Sequence, residues 1–232
     1  MKKLVLATLL AVSPLAFAEK SWHGEGDLAY NKASGNTQSE SLLAKLQLVY
    51  ELERWKHTGQ LEAVNTSEDG NRSAEAYVLK AQSDYAISET TYGFGAVRYE
   101  DNRFSGYDHQ ASVKTGLGKH IINDGTTVFD LEGGVGYRNS KEQTTGDTLN
   151  EAILNAAARY HRQLTETTHF EADISTESGK DNTFIEGVAG LKVKINSSLA
   201  LKVAYSVKHN TDVPVDTKRT DTLTSVGLNY SF

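Results

Sequence analysis

Twelve segments of this sequence alternate apolar and polar residues with a period of two. After residue 18, no stretch is apolar over the roughly 20 residues that a membrane-spanning helix needs. In residues 199–208, for example, Leu201 and Val203 flank Lys202. A period of two places successive side chains on opposite faces of a strand. Besides helices, only closed β-barrels pair all their backbone groups inside a bilayer. The pattern therefore predicts an all-β fold, a closed antiparallel transmembrane β-barrel of about 12 strands.

The number of segments is even, as is typical of a single-chain bacterial outer-membrane barrel. The predicted strands are residues 20–30, 40–51, 55–65, 74–87, 90–100, 109–121, 126–138, 150–163, 168–177, 183–195, 199–209 and 220–232. Good helix formers are frequent in residues 41–55 and 149–164, but the period of two favours strands there as well. The phase is ambiguous in segment 90–100.

The connections support the same fold, because hydrophilic connections and short turns alternate along the chain. Connections such as residues 65–73 and 210–220 follow the odd-numbered strands, whereas short ones such as residues 88–90 follow the even-numbered strands. Outer-membrane barrels have longer external loops and short periplasmic turns. The long connections, with Pro214 in the last of them, are predicted to face outside.

The first 18 residues have the features of a secretory signal peptide. Lys2 and Lys3 precede an apolar run, and Ala16-Phe17-Ala18 forms a small-x-small cleavage site. We therefore predict a signal peptide over residues 1–18 and the barrel over residues 19–232. A sequence without cysteine uses no disulfides, and its scattered lysines and arginines do not predict nucleic-acid binding. The predicted location is the bacterial cell outer membrane.

The C-terminal residues also alternate, with Leu228, Tyr230 and Phe232 predicted to face lipid. The pattern Ser225-x-Gly227-x-x-Tyr230-x-Phe232 resembles the assembly signal of outer-membrane proteins. Gly227, Tyr230 and Phe232 are therefore predicted to be read by the barrel-assembly machinery, so the expected partners are that machinery and outer-membrane lipid.

Residues 24–57 (GEGDLAYNKASGNTQSESLLAKLQLVYELERWKH) and the terminal GLNYSF resemble the YdiY-like family of salt-induced outer-membrane proteins. The resemblance implies a small outer-membrane barrel associated with salt or acid stress. It implies no activity for individual residues.

The predicted lumen carries ten acidic and ten basic side chains. These are Glu25, Asp27, Glu51, Glu62, Asp84, Asp130, Glu132, Glu171, Asp173 and Glu186, with Lys45, Lys56, Lys80, Lys114, Arg138, Arg159, Lys192, Lys194, Lys202 and Lys208. The tenth and eleventh strands are locally basic, because Glu186 is the only acidic inward residue beside Lys192, Lys194, Lys202 and Lys208. This wall favours a narrow passive channel for ions or small solutes. The alternatives are a salt-bridged interior and a non-conducting structural or interaction barrel that acts through its external loops.

Aromatic residues near the ends of the strands predict two girdles at the membrane interfaces. The periplasmic girdle comprises Trp22, Tyr50, Trp55, Tyr85, Tyr92, Phe170 and Phe232, and the outer girdle comprises Tyr30, Tyr77, Tyr107 and Tyr137.

No motif predicts catalysis, a cofactor or a metal. The glycines of GFGAVR and GGVG lie within predicted strands, and the oxygen-rich residues 67–71 are typical of a solvated turn. A lipase would need His57 or His169 beside a serine such as Ser88 or Ser198, and neither lies in a nucleophile motif. The chain is therefore predicted not to be an enzyme.

Overall fold

Each strand of the structure is antiparallel to its neighbours in the chain, and the first strand pairs with the last to close a barrel. The computed structural model describes residues 22–33, 39–69, 71–102, 105–143, 145–213 and 217–232. The strands are β1 Trp22–Ala33, β2 Ser39–Leu52, β3 Trp55–Glu68, β4 Asn71–Ala86, β5 Thr91–Asn102, β6 Tyr107–Asn123, β7 Thr127–Glu142, β8 Thr148–Gln163, β9 Thr168–Ser178, β10 Thr183–Lys194, β11 Leu199–Asn210 and β12 Thr220–Ser231. The predicted fold is confirmed, including the strands where helix formers are frequent. The predicted signal peptide lies outside the described residues.

The barrel wall separates an apolar outer face from a polar inner face. Outward side chains such as Leu61, Leu154 and Tyr205 are at least half exposed, whereas inward residues such as Ser112 and Asn229 are buried. This distribution is the reverse of that in a water-soluble protein, and it follows from the period of two. Within the described residues, no helix has the length and apolar character needed to cross a membrane.

The connections after the odd-numbered strands are shorter than predicted. Strand β3 continues to Glu68 and β4 begins at Asn71, so most of the predicted connection over residues 65–73 is strand, and Asp69 has a φ of 48°. Polar residues on both faces of a projecting hairpin keep the backbone ladder while their side chains remain solvated. Hydrophobic periodicity does not distinguish such strands from loops. We call this end of the barrel the hairpin end and the opposite end the turn end; Pro214 lies outside the described residues.

Side-chain oxygens cap the connections at the turn end. The backbone N–H groups of Thr126 and Thr127 donate to the Asp124 carboxylate over 2.9 and 2.7 Å, as does the Thr126 hydroxyl. These hydrogen bonds stabilise the charged form and lower the pKa of Asp124. Asn196 similarly accepts bonds from the N–H groups of Ser198 and Leu199 between β10 and β11.

Two of the predicted girdle residues point into the barrel instead. Tyr92 is 5% exposed on the inner face of β5, and Tyr107 is 2% exposed with its hydroxyl 3.3 Å from the Asp212 carbonyl oxygen. The girdle predictions for Tyr92 and Tyr107 are therefore wrong, because aromatic rings fill the lumen as readily as they face lipid. At the turn end, the rings of Trp22 and Tyr50 lie 4.5 Å apart on the outer face, and Trp55 and Tyr85 lie 4.9 Å apart.

The closing seam joins β1 to β12. Residues 25–29 pair with residues 227–231, and Gly24 and Phe232 exchange backbone hydrogen bonds of 2.9 and 3.0 Å. The Phe232 ring covers Gly24, where an added Cβ would lie 2.5 Å from the ring. A Cβ on Gly227 would strike the Leu28 carbonyl oxygen and lie 2.6 Å from Ala29 Cα. Glycine at both positions therefore lets the first and last strands approach closely.

Candidate functional site

The lumen brings together the charged residues that the sequence placed on inward positions. We describe them as four clusters of side chains, each held by several strands. Lys192, Lys194, Lys202, Lys208 and Glu186 all occupy inward positions of β10 and β11. The clusters show which of these charges meet a partner.

The central cluster, comprising Lys80, Arg98, Glu100, Glu186 and Lys208, spans the width of the barrel. Lys80 Nζ lies 2.5 Å from Glu186 Oε2, and Lys208 Nζ lies 3.2 Å from Glu100 Oε1. Each pair joins strands that are six positions apart in the ring of twelve, so both cross the lumen between opposite walls. Arg98 contacts Glu100 within β5. Its guanidinium also lies 4.6 Å from the centre of the Phe184 ring.

The seam cluster, comprising Glu25, Asp27, Glu171, Lys192, Lys202 and Asn229, lies inside the closing strands. Lys202 Nζ is 3.0 Å from Asp27 and 2.5 Å from Glu171, and Lys192 Nζ is 2.7 Å from Glu25. Asn229 is fully buried and donates through Nδ2 to Asp27 over 2.6 Å and to Glu25 over 3.2 Å. Lys192 and Lys202 of the locally basic wall are thus matched by carboxylates from β1 and β9, whereas Lys208 is matched by Glu100 of β5.

The hairpin-end cluster is built around Arg138, which is 2% exposed. Its Nη2 lies 2.5 Å from both Glu151 Oε1 and the Asn182 carbonyl oxygen, and Nη1 donates to the Glu177 carbonyl oxygen over 3.3 Å. Glu177 also accepts from Lys114 at 2.8 Å and from Ser112 at 3.0 Å. The connection between β9 and β10 is therefore tied down over one side of the lumen.

The turn-end cluster consists of Gln82, Tyr92, Glu132 and Arg159. Glu132 Oε1 accepts from Gln82 over 2.8 Å and from the Tyr92 hydroxyl over 3.0 Å. Arg159 pairs with the same carboxylate. Because these residues come from β4, β5, β7 and β8, the cluster connects non-adjacent strands and fills that side of the lumen.

Two cavities lie beside these clusters. The hairpin-side cavity has a volume of about 310 Å³ and is lined by residues that include Asp27, Glu186, Lys202 and Lys208. The turn-side cavity has a volume of about 560 Å³, and its lining includes Glu25, Glu171, Lys192, Lys194 and Asn229. No residue lines both cavities. Because the bonds of Lys202 and Asn229 join side chains of one cavity to those of the other, the seam cluster lies between them.

Sequence reasoning missed Arg98, Glu100, Glu151 and Glu177. Arg98 and Glu100 lie in the segment of ambiguous phase, where the inward position of Phe94 fixes the face. Glu177 is the last residue of the predicted strand 168–177, and Glu151 is the second residue of the predicted strand 150–163. Both continue the inward alternation of β8 and β9. Counting every second residue to the ends of those strands would have identified them.

Other residues named from the sequence also contact ordinary structural partners. Glu171 contacts Lys202, and Asp173 lies 2.9 Å from His161. In the described part of the chain, no group of three His, Asp or Glu residues is arranged to hold a metal ion. His57 Nδ1 lies 2.8 Å from Ser83 Oγ rather than beside Ser88, and its ring stacks on Trp55 at 5.7 Å. These contacts place His57 within the aromatic cluster at the turn end.

Comparison of the sequence with known proteins identifies a matching family and a relative. The family described as "Protein of unknown function, DUF481" matches residues 26–232. An Escherichia coli (strain K12) protein described as "Uncharacterized protein YdiY" is 31% identical over 219 residues, which cover 93% of this chain and 85% of that protein.

Comparison with solved structures finds other barrels. An outer membrane channel from Pseudomonas putida F1 is similar with a TM-score of 0.56 at 11% identity, covering 91% of this chain and 95% of that one. The NanC porin has a TM-score of 0.53 at 7% identity, with coverage of 89% and 97%. The translocator domain of the autotransporter NalP from Neisseria meningitidis has a TM-score of 0.51 at 14% identity, with coverage of 94% and 91%. At these identities the similarity establishes the fold alone.

Proposed function

Because this chain belongs to the DUF481 family and folds as a closed twelve-stranded barrel, we propose that it is an outer-membrane channel of low conductance for small ions and solutes. The seam cluster limits its conduction. The association with salt or acid stress belongs to the same proposal and is supported by the YdiY-like resemblance.

Placement in the outer membrane is supported by the lipid-like character of the outer wall. Leucine, valine, isoleucine and tyrosine side chains are exposed around the barrel, and aromatic rings cluster at the turn end. In this placement the turn end faces the periplasm, and the polar hairpins project outside. Gly227, Tyr230 and Phe232 would be read by the barrel-assembly machinery, and outer-membrane lipid would surround the wall.

The observation that carries the proposal is the seam cluster between the two cavities. The cavities leave space open toward each end of the lumen, and Lys202 joins the side chains that separate them. A permeating ion must displace these ion pairs or pass beside them. Fixed charges of both signs favour weak selectivity. Small ions are therefore expected to pass slowly.

The crossing pairs of the central cluster favour a second candidate function. They join opposite walls, and the hairpin-end cluster holds the connection between β9 and β10 in place. A barrel filled in this way would be non-conducting and would act as a structural or interaction barrel through its hairpins. Conductance distinguishes the two candidates.

The test is planar-bilayer recording of the wild type beside the double variant Asp27→Ala/Lys202→Ala, which removes both charges of one pair. We expect small wild-type conductance and a several-fold increase in the variant. The matched control is Asp108→Ala/Lys141→Ala, which removes a 3.5 Å pair whose side chains are nearly half exposed, and it should conduct like the wild type. Replacing Lys194, which lines the turn-side cavity, with Glu should shift selectivity toward cations.

Two outcomes would contradict the proposal. If both the wild type and the Asp27/Lys202 variant insulate at every salt concentration, the barrel is non-conducting. If both conduct equally well, the seam cluster does not limit permeation.

A further inference from the structure

The seam between β1 and β12 is paired along only part of its length. Its ladder runs from Glu25–Ser231 to Ala29–Gly227, although β1 continues to Ala33 and β12 begins at Thr220. By contrast, β1 pairs with β2 along all of residues 22–33. Beyond Ala29, the Asn31 side-chain amide donates to the Thr224 carbonyl oxygen over 3.3 Å. The wall therefore opens at the seam toward the hairpin end.

The hairpin-side cavity lies at this opening and is lined from both faces of the wall. Its lining includes Leu28, Val207 and Leu228, which occupy lipid-facing strand positions. It also includes Ala29 and Ser225, which face the lumen. Residues from both faces of the wall thus line one cavity at the part of the seam without a backbone ladder, which gives a route to it from the lipid side as well as from the lumen.

The lumen wall of this cavity is unusually apolar for a barrel interior. Its inward side chains include alanines and larger aliphatic residues from six strands. These are Leu43, Val64, Ala76, Val188, Ala204 and Leu223. Apolar lining with a few polar groups is typical of small-molecule sites, whose volumes start at about 300 Å³. The polar side of the same cavity carries both lysines and carboxylates, including Lys45, Glu62 and Asp221.

We propose that the hairpin-side cavity binds a single-chain amphiphile that enters from the bilayer through the seam. Its apolar chain would lie along the inward aliphatic residues, and its polar head would meet the charged side of the cavity. A volume of about 310 Å³ suits one alkyl chain rather than a two-chain lipid. Because the charged side chains of the cavity have both signs, the site recognises the alkyl chain together with a polar head group that is neutral, positive or negative. This inference rests on the bilayer placement proposed above, but not on conduction.

The test uses the full chain in phosphatidylcholine vesicles with dodecanol that carries a diazirine on its alkyl chain. After photolysis, mass spectrometry should find the label on β2, β3 or β10 at inward residues such as Leu43, Val64 and Val188. Excess unlabelled dodecanol should reduce this labelling several-fold. Ala204→Phe, which fills the cavity, should reduce it similarly.

The control is Ala172→Phe, which adds the same ring to an outward position of β9. It should leave labelling unchanged. Heat-dependent gel mobility shows that each variant is inserted, and Leu43→Trp replaces Ala204→Phe if that variant does not assemble. Label confined to outward residues, or inward labelling that neither cavity variant reduces, overturns the proposal. A wild type that fails to insert would instead refute the bilayer placement.

Discussion

Replacing Gly134 or its neighbour Gly133 with alanine should have opposite effects on barrel stability. Gly134 faces the lumen and pairs directly with Gly116 on β6. A Cβ on Gly134 would strike the Thr115 carbonyl oxygen and lie 2.8 Å from Gly116 Cα. A Cβ on Gly133, which faces lipid, meets nothing within 4 Å. The two substitutions therefore add the same methyl group to adjacent residues in different surroundings.

The size of the difference follows from what the methyl group meets. At Gly134 the obstacles are backbone atoms of a paired strand, which do not swing aside as a flexible side chain would. Overpacking of this kind costs about 1–3 kcal/mol. At Gly133 the alanine restricts the unfolded chain, which raises the free energy of unfolding by about 0.4–1 kcal/mol. We therefore expect Gly133→Ala to be more stable than Gly134→Ala by about 1.5–4 kcal/mol.

Urea unfolding in phospholipid vesicles measures this difference, with the fluorescence of Trp22 and Trp55 and the heat-dependent gel band as independent probes. Both variants should first be shown to insert to the same extent. Equal unfolding free energies would refute the reasoning, because they would mean that β6 and β7 do not approach as closely as the structure shows. A destabilised Gly133→Ala would refute it equally.

Two further predictions concern buried charge and closure. Arg138→Met should lower the free energy of unfolding by about 3–5 kcal/mol, because Glu151 stays buried without its ion-pair partner. The control Lys141→Ala should cost under about 1 kcal/mol in the same urea assay, and equal losses would contradict the prediction. Deleting Phe232 removes its backbone bonds to Gly24 together with a predicted assembly residue, and replacing Tyr230 and Phe232 with Asp removes the two aromatic assembly residues, so either change should stop insertion. The inserted fraction should fall sharply relative to the inward control Ser231→Ala, and unchanged insertion would show that the terminus is dispensable.

The fold was predictable because lipid outside and polar groups inside impose one alternation on every strand. Residues such as Leu201, Lys202 and Val203 carry that alternation by themselves. The ends of the strands at the hairpin end were not predictable in this way. Where both faces of a hairpin are solvated, residues such as Glu68 and Asn71 have no apolar neighbours to mark a strand.

The inward positions of the candidate site were readable from the same alternation, but its contacts were not. Whether Lys202 contacts Asp27 or an open lumen depends on the stagger of β1, β9 and β11 around the ring. The sequence of any one strand does not specify this stagger. Tyr92 illustrates the same limit. Its ring fits either face of a strand, and only the neighbouring buried Phe94 and Arg98 show that β5 turns it inward.

The crossing pairs also have a mechanical consequence. A thin cylindrical wall deforms most easily by flattening into an ellipse, which shortens one diameter and lengthens the perpendicular one. Lys80–Glu186 and Glu100–Lys208 act as two spokes between opposite walls, so flattening along any axis stretches or compresses at least one of them. A barrel braced in this manner keeps a nearly constant cross-section when the lateral pressure of the surrounding bilayer changes.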